Sequence, residues 1–218
     1  MNIKNKKSFA EHLKSFYSAL IAGFMIGLGC IIFLSIENRI IGSLFFAVGL
    51  LTILLLKLNL FTGKAPYICQ NDFKYCGFVG IVWLGNFAGT ALSTLLIKGT
   101  RVYEMIFSKC LTIAEVKISD SLLSLFILGI FCGILMYIAV DTFNTQSQDK
   151  NCSATLLTVL CVSVFILSNF EHSIADMFYF IVALPIEQWI LPLIIISLGN
   201  IIGGNIFCYF NKLIKEAL

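Results

Sequence analysis

Charged side chains are scarce in this chain. Of its 218 residues only 12% are charged, whereas ordinary soluble domains carry about 25%. Hydrophobic residues make up 59%, and the mean hydropathy is +0.94. A soluble fold of this size could not bury so much apolar surface in one core, so lipid must solvate part of it. The composition excludes an ordinary soluble domain and predicts an all-α polytopic membrane protein, and the net charge of +3 implies no nucleic-acid partner.

Groups that carry catalysis are also few. The only histidines are His12 and His172, and neither belongs to a His-Glu-x-x-His metal motif. No serine lies in the glycine-rich turn that serine hydrolases use. The eight cysteines have no Cys-x-x-Cys spacing and lie mostly in apolar runs, which is typical of core residues rather than metal ligands or disulfides. We therefore expect no enzyme, no metal and no cofactor, with an intramembrane enzyme or a structural membrane protein as distant alternatives.

What is abundant is long apolar sequence. Six segments are long enough to cross a bilayer: Tyr17–Ile36, Ile41–Ile68, Tyr75–Ile97, Leu122–Phe143, Cys152–Leu184 and Trp189–Phe210. Ahead of them, Ser8–Leu20 has apolar residues at helical spacing, which predicts an interfacial amphipathic helix. An even number of spans puts both termini on one side, and the bias of lysine and arginine places that side in the cytoplasm. We expect a lipid-embedded protein of the cell inner (plasma) membrane.

A glycine motif repeats along the chain. Gly-x-x-x-Gly, which allows close helix packing, occurs in spans one, three, four and six: Gly23/Gly27, Gly85/Gly89, Gly129/Gly133 and Gly199/Gly203. The motifs pair at an offset of about 110 residues, which predicts two halves of three spans in opposite orientations. We expect one transmembrane domain over residues 1–218, divided into an amphipathic N-terminal segment (1–16), a first repeat (17–97), an external loop (98–121) and a second repeat (122–211).

Spans two and five are too long for single helices. Ile41–Ile68 would extend roughly 42 Å and Cys152–Leu184 roughly 50 Å, against a hydrocarbon core of about 30 Å. Polar residues interrupt both, in the string KLNLFTGK (57–64) and around Glu171–Ser173. Non-helical backbone at membrane depth needs protein or water beside it, so breaks at matching positions of two repeats are typical of a transport site.

The residues at these breaks resemble the signatures of a known family. NLFTGK (59–64) and NFEHSIADMF (169–178) resemble the paired motifs of the formate/nitrite transporter family, and GNFAG (85–89) and GNIIGG (199–204) resemble its third and sixth helices. The resemblance covers nearly the whole chain. It implies a homopentamer of aquaporin-like, six-helix protomers, each with its own pore for a small monovalent anion such as formate, nitrite, lactate or hydrosulfide.

The resemblance also implies a layout for the pore. His172 and Thr62 would form a polar waist between two apolar constrictions, and the anion would pass His172 either as the ion or as the neutral acid. The implied lining side chains are apolar: Leu60 and Phe61 beside the waist, Phe46 and Leu50 at a cytoplasmic constriction, and Phe165 at the opposite constriction.

Five polar residues are expected around this pore. Asn86 and Asn200, in the paired glycine motifs, should hold backbone at the breaks. A carboxylate facing the pathway would repel an anion, so Glu171 is expected off the pore, accepting backbone N–H groups. Asp176 could orient His172, pair with Lys57 or face the cytoplasm. Lys57 could attract anions at the pore mouth or extend to the membrane interface.

The sequence departs from the commonest family pattern in ways that bear on the substrate. Asn59 stands where an acidic residue is usual, Asp176 where an asparagine is usual, and Gly133 where helix four usually has an asparagine. The lysine directly after the LFTG string, Lys64, resembles the sequence pattern of the family's hydrosulfide branch. We expect a small-anion channel or transporter with hydrosulfide favoured. A formate or nitrite channel, or a proton-coupled carrier, is the alternative.

Overall fold

The computed structural model describes residues 3–145 and 151–217, and the first two residues of the predicted N-terminal segment lie outside this range. The described chain is nearly all helical. Its α-helices are α1 (Ile3–Ser35), α2 (Arg39–Leu55), α3 (Phe61–Lys64), α4 (Phe73–Lys98), α5 (Tyr103–Ser119), α6 (Leu122–Thr145), α7 (Asn151–Leu167), α8 (Ser173–Ala183) and α9 (Ile186–Ala217). A 3-10 helix, Ala65–Gln70, directly follows α3.

Four of these helices contain stretches long and apolar enough to cross a bilayer within the described residues: Ala10–Ser35 in α1, Phe73–Lys98 (α4), Leu122–Thr145 (α6) and Ile186–Glu216 in α9. The two segments predicted as over-long spans are each divided. One comprises α2 and α3, and the other comprises α7 and α8. Residues 98–121, predicted as an external loop, consist largely of helix α5, which packs against α8.

The two helix breaks have the same backbone design. After α2, the N–H of Lys57 donates to Leu54 O at 3.1 Å, and the N–H of Leu58 donates to Ile53 O at 2.9 Å. After α7, Asn169 donates to Ile166 O at 3.3 Å and Phe170 donates to Phe165 O at 2.9 Å. Both pairs form the Schellman pattern that ends a helix through one left-handed residue. That residue is Lys57 (φ 54°) in one break and Asn169 (φ 53°) in the other.

Close glycine contacts hold the long helices in two pairs, α1 with α4 and α6 with α9. A Cβ added at Gly89 would overlap Leu20 O, and one added at Gly203 would overlap Ile130 O. No side chain fits there without moving backbone, which is the close approach that small residues permit. The short helix α8 lies at the centre, where every residue from Glu171 to Phe180 is buried.

Candidate functional site

The two breaks meet at a buried hydrogen bond between Thr62 and His172. Thr62 Oγ1 lies 3.0 Å from His172 Nε2, and each residue is 1% exposed. His172 is also the N-cap of α8, because its Nδ1 accepts a hydrogen bond from the N–H of Ala175 at 3.2 Å. An accepting Nδ1 carries no proton, so the neutral ring has its proton on Nε2 and donates it to Thr62. The Thr62 hydroxyl hydrogen then stays available for another acceptor.

Asn86 binds the first break. Its Oδ1 accepts the N–H of Phe61, the first residue of α3, at 2.8 Å. Its Nδ2 donates to Ala19 O at 2.7 Å and to Asn59 O at 3.0 Å. One side chain therefore satisfies a free N–H at the start of α3 and ties the broken segment to α1.

Asn200 binds the second break in the same way. Its Oδ1 accepts the N–H of Ser173, the first residue of α8, at 2.9 Å. Its Nδ2 donates to Gly129 O at 2.9 Å and to Glu171 O at 2.8 Å. Each asparagine directly follows the first glycine of a Gly-x-x-x-Gly motif, so the repeated sequence string carries a repeated hydrogen-bond pattern.

Aromatic rings cover one side of the Thr62–His172 pair. The Phe165 ring stacks on the His172 ring, with centroids 5.3 Å apart and planes 19° apart. The Phe46 ring packs edge-on against Phe165 at 5.9 Å and 89°. The prediction that Phe46 and Phe165 belong to opposite constrictions is therefore wrong, because the two rings touch. The resemblance to the family did not show that Phe46 on α2 and Phe165 on α7 lie at the same depth in the fold.

Two cavities approach this region from opposite ends of α2. The first, about 590 Å³, is lined by Arg39 at the start of α2 and extends to Phe165 and His172. The second, about 240 Å³, is lined by Leu54 near the end of α2 and by Leu60. At about 1.5 Å per residue, the ends of α2 that line the two cavities lie roughly 22 Å apart.

The remaining predicted lining residues are also buried. Leu50 is 1% exposed, Leu60 2% and Phe61 3%. Thr62 is two residues from Leu60, which lines the second cavity, and is bonded to His172, which lines the first.

A buried ion cluster lies behind His172. Lys117, on α5, contacts the Glu171 carboxylate and lies 2.9 Å from Asp176 Oδ1. Burial alone would lower the pKa of Lys117, but the carboxylates of Asp176 and Glu171 outweigh burial and hold the pKa above its ordinary value. The ammonium group therefore stays charged at neutral pH.

Three sequence expectations are corrected by this cluster. The partner of the Glu171 carboxylate is the Lys117 ammonium rather than backbone N–H. Asp176 pairs with Lys117 rather than Lys57, and at 2% exposure it is not solvated at the cytoplasmic surface. The His172 ring is held by Ala175 and Thr62 rather than by the Asp176 carboxylate. Lys117 itself was missed, although two carboxylates in an apolar segment already required a nearby cation.

Lysines line the second cavity and further cations line the first. Lys57 is exposed, and it shares the second cavity with the partly buried Lys64. In the first cavity, Arg39 Nη2 donates to Ile166 O at 3.0 Å and to the Asn169 side chain, which fastens the start of α2 to the end of α7. The contacts of Arg39 could not be predicted from the sequence, because its partners are more than a hundred residues away along the chain.

Comparison with known proteins identifies the family. The sequence profile of the formate/nitrite transporters matches residues 1–213. The chain belongs to the formate/nitrite transporter family. Formate channel FocA of Escherichia coli strain K12 is 24% identical over 245 aligned residues, covering 92% of this chain and 85% of FocA.

Solved structures show the same fold. A structure described as an FNT family ion channel matches with a TM-score of 0.82 and 21% identity, over 95% of this chain and 92% of that chain. A pentameric formate channel with formate bound matches with a TM-score of 0.77 and 22% identity, over 96% and 99%. The family resemblance found in the sequence is confirmed. The chain is a helical membrane protein of a transporter family rather than an enzyme.

Proposed function

We propose that this protein conducts a small monovalent weak-acid anion across the membrane. The path runs from the first cavity, past Phe165, His172 and Thr62, to the second cavity. The observation that carries the proposal is the buried Thr62–His172 pair, which joins two helix breaks between cavities at opposite ends of α2. Phe46 and Phe165 form an apolar constriction on the first-cavity side, and Leu50, Leu60 and Phe61 line the path toward the second.

The proposed architecture is six crossings in an inverted repeat of three plus three, with crossings two and five broken. Two matched features support it. The helices end in the same way at Lys57 and Asn169, and Asn86 and Asn200 make matching hydrogen bonds to the two breaks. The end of α1 at Ser35 is near the first cavity, so the termini and the second cavity lie on the other side, which we assign to the cytoplasm. We extend this to an aquaporin-like protomer in a lipid-embedded homopentamer of the inner (plasma) membrane, as in the pentameric formate channel.

The site offers hydrogen-bond donors rather than a fixed positive charge. An anion in this path loses water, and the His172 Nε2–H and the Thr62 hydroxyl can replace part of it. The N-terminal end of α8, which starts at His172, adds a favourable dipole. A second proton on His172 would have to sit on Nδ1, where it would face the N–H of Ala175. The ring therefore stays neutral while the start of α8 is intact, and an anion that crosses as the neutral acid receives its proton from elsewhere.

Cations at both ends of the path attract the substrate. We assign anion attraction to Lys57 and Lys64 in the second cavity and to Arg39 and Lys109 in the first. Among the possible anions we place hydrosulfide first, because Lys64 follows the LFTG string. Formate, which the relative FocA carries by its name, and nitrite are the alternatives.

Anion flux into proteoliposomes tests the proposal. Hydrosulfide, formate and nitrite are compared for the natural sequence, His172→Asn and Thr62→Val. His172→Asn keeps a side-chain acceptor at the N-cap of α8 while removing the ring, so it separates conduction from folding. Thr62→Val removes one hydroxyl, and we expect each variant to lose roughly tenfold or more of the flux.

The matched control is Thr158→Val. Thr158 is a fully buried threonine whose hydroxyl bonds Ala154 O at 2.9 Å, and it lines neither cavity. Its flux should stay near that of the natural sequence. Folded His172→Asn and Thr62→Val proteins that carry every anion at the natural rate would overturn the pathway. A preference for formate or nitrite would keep the pathway and replace only the substrate.

A further inference from the structure

Two buried carboxyl groups share one ammonium group beside His172. Glu171, Asp176 and Lys117 are 4%, 2% and 9% exposed. Lys117 Nζ contacts one oxygen of each carboxyl group. If both carboxyl groups were ionised, the cluster would hold one uncompensated negative charge away from bulk water, which is costly.

The positions of the charges favour a bound proton. Because Lys117 Nζ contacts one oxygen of Glu171 and one oxygen of Asp176, the two carboxyl groups are themselves close neighbours. Two carboxylates held this close repel each other, and a proton on one of them removes the repulsion. Asp176 Oδ2 is buried and has no hydrogen-bond partner in residues 3–145 and 151–217. An oxygen left without a partner is less costly in a neutral acid than in a carboxylate.

Among the described residues, the cation in ion-pair contact with Glu171 and Asp176 is Lys117. Besides Lys117, the titratable groups that face Asp176 are thiols, a phenol and a neutral ring: Cys30 from α1, Cys132 from α6, Tyr179 from α8 and the adjacent His172. Thiols and phenols are ordinarily neutral at pH 7.

The other two cations of the first cavity are bonded elsewhere. Arg39 donates to Ile166 O and to the Asn169 side chain. Lys109 Nζ donates to Leu34 O at 2.6 Å. Among the described residues, the cavity lining contains three cations and four carboxyl groups: Arg39, Lys109 and Lys117, with Glu37, Asp120, Glu171 and Asp176. One bound proton would balance these charges.

We propose that Glu171 and Asp176 share one proton and that this proton controls passage past His172. Two carboxyl groups this close do not ionise together, so they titrate as a pair. Both line the first cavity, so a carboxyl O–H can release its proton to water there and leave a carboxylate. That adds a negative charge within one helical turn of the ring, which repels an approaching anion. The control of passage rests on the proposed function, whereas the shared proton does not.

Infrared spectroscopy of the purified protein tests the shared proton directly. The natural sequence should show the carbonyl stretch of a protonated carboxylic acid at neutral pH, shifting in D2O and disappearing as the pH rises. Asp176→Asn and Glu171→Gln should each remove this band. Glu115→Gln is the matched control, because Glu115 is exposed on α5 two residues from Lys117, and it should leave the band unchanged. Absence of the band at neutral pH, or its persistence in folded Asp176→Asn, would overturn the proposal.

Flux measurements test the control of passage. From about pH 5 to about pH 9, the flux ratio of the natural sequence to Asp176→Asn should fall by roughly tenfold, because only the natural sequence gains a negative charge on titration. The titration of the substrate affects both proteins equally, so its effect cancels in the flux ratio. A constant ratio together with the infrared band would overturn the control of passage and keep the shared proton. Loss of flux in every protein, with the band present, would count against the proposed function instead.

Discussion

The two helix breaks have nearly the same backbone and very different side chains. Each ends a helix through one left-handed residue, and each is held by an asparagine from a Gly-x-x-x-Gly motif. The first break leads into the four-residue α3 and contributes Leu60 and Thr62. The second leads into the eleven-residue α8 and contributes Glu171, His172 and Asp176.

The difference separates two tasks. The repeated parts shape the backbone, since Asn86 and Asn200 make the same three kinds of hydrogen bond. The buried ionisable groups Glu171, His172 and Asp176 are not repeated, and they belong to the second break. Its charged partner Lys117 comes from α5, outside the membrane-crossing candidates. In the proposed repeat, therefore, only one of the two copies carries buried ionisable groups at its break.

Removing the cation of the second break should have the largest effect. Lys117→Met leaves Glu171 and Asp176 buried without their ammonium partner, and we expect a loss of about 3–5 kcal/mol in the free energy of unfolding. The pKa of Lys117 is raised in the folded state. Its ion pairs with Glu171 and Asp176 therefore stabilise the fold at neutral pH, and this stabilisation is lost only as the pH rises through that pKa. Thermal unfolding in detergent measures the loss.

The double variant Lys117→Met with Glu171→Gln is the control for this prediction. It removes one carboxylate together with the cation and should recover part of the stability. A Lys117→Met protein as stable as the natural sequence would show that the cluster does not support the second break.

Replacing Asn86 and Asn200, the asparagines that hold the two breaks, should have equal effects on stability, smaller than the effect of removing Lys117. Asn86→Leu and Asn200→Leu each leave one buried N–H and two carbonyl groups without this partner, so each should lower the free energy of unfolding by about 1–3 kcal/mol. Asn144→Leu, at an exposed asparagine, should change stability by no more than about 0.5 kcal/mol. Unfolding midpoints of the three variants check this. If one of the two asparagines could be replaced without loss of stability, the backbones of the two breaks would not depend on equivalent hydrogen bonds.

The left-handed residues should give the smallest effect and differ between the breaks. Lys57→Gly relieves the strain of a side chain at φ 54° and should stabilise the fold by about 0.5–1 kcal/mol. Asn169→Gly should gain nothing, because asparagine tolerates this conformation and its side chain binds Arg39. Small shifts in unfolding midpoint distinguish the two. An unchanged midpoint in Lys57→Gly would mean that Lys57 is not strained.

The sequence predicted the breaks because polar residues interrupt apolar runs, as at Asn59 and His172. It did not predict the cluster around Lys117, because a lysine in a polar segment looks solvated until tertiary packing places α5 against α8. The pairing of Phe46 with Phe165 was missed for the same reason. Periodicity assigns residues to elements, but contacts across more than a hundred residues depend on how those elements pack.

The His172 ring is held on three sides: Nδ1 by Ala175, Nε2 by Thr62 and one face by Phe165. Turning the ring over would exchange its two nitrogens and break both hydrogen bonds, at a cost of about 1–3 kcal/mol. This cost disfavours a mechanism in which the ring carries a proton from one face of the membrane to the other by rotating. We therefore expect protons to reach the anion through water in the cavities while the imidazole stays still.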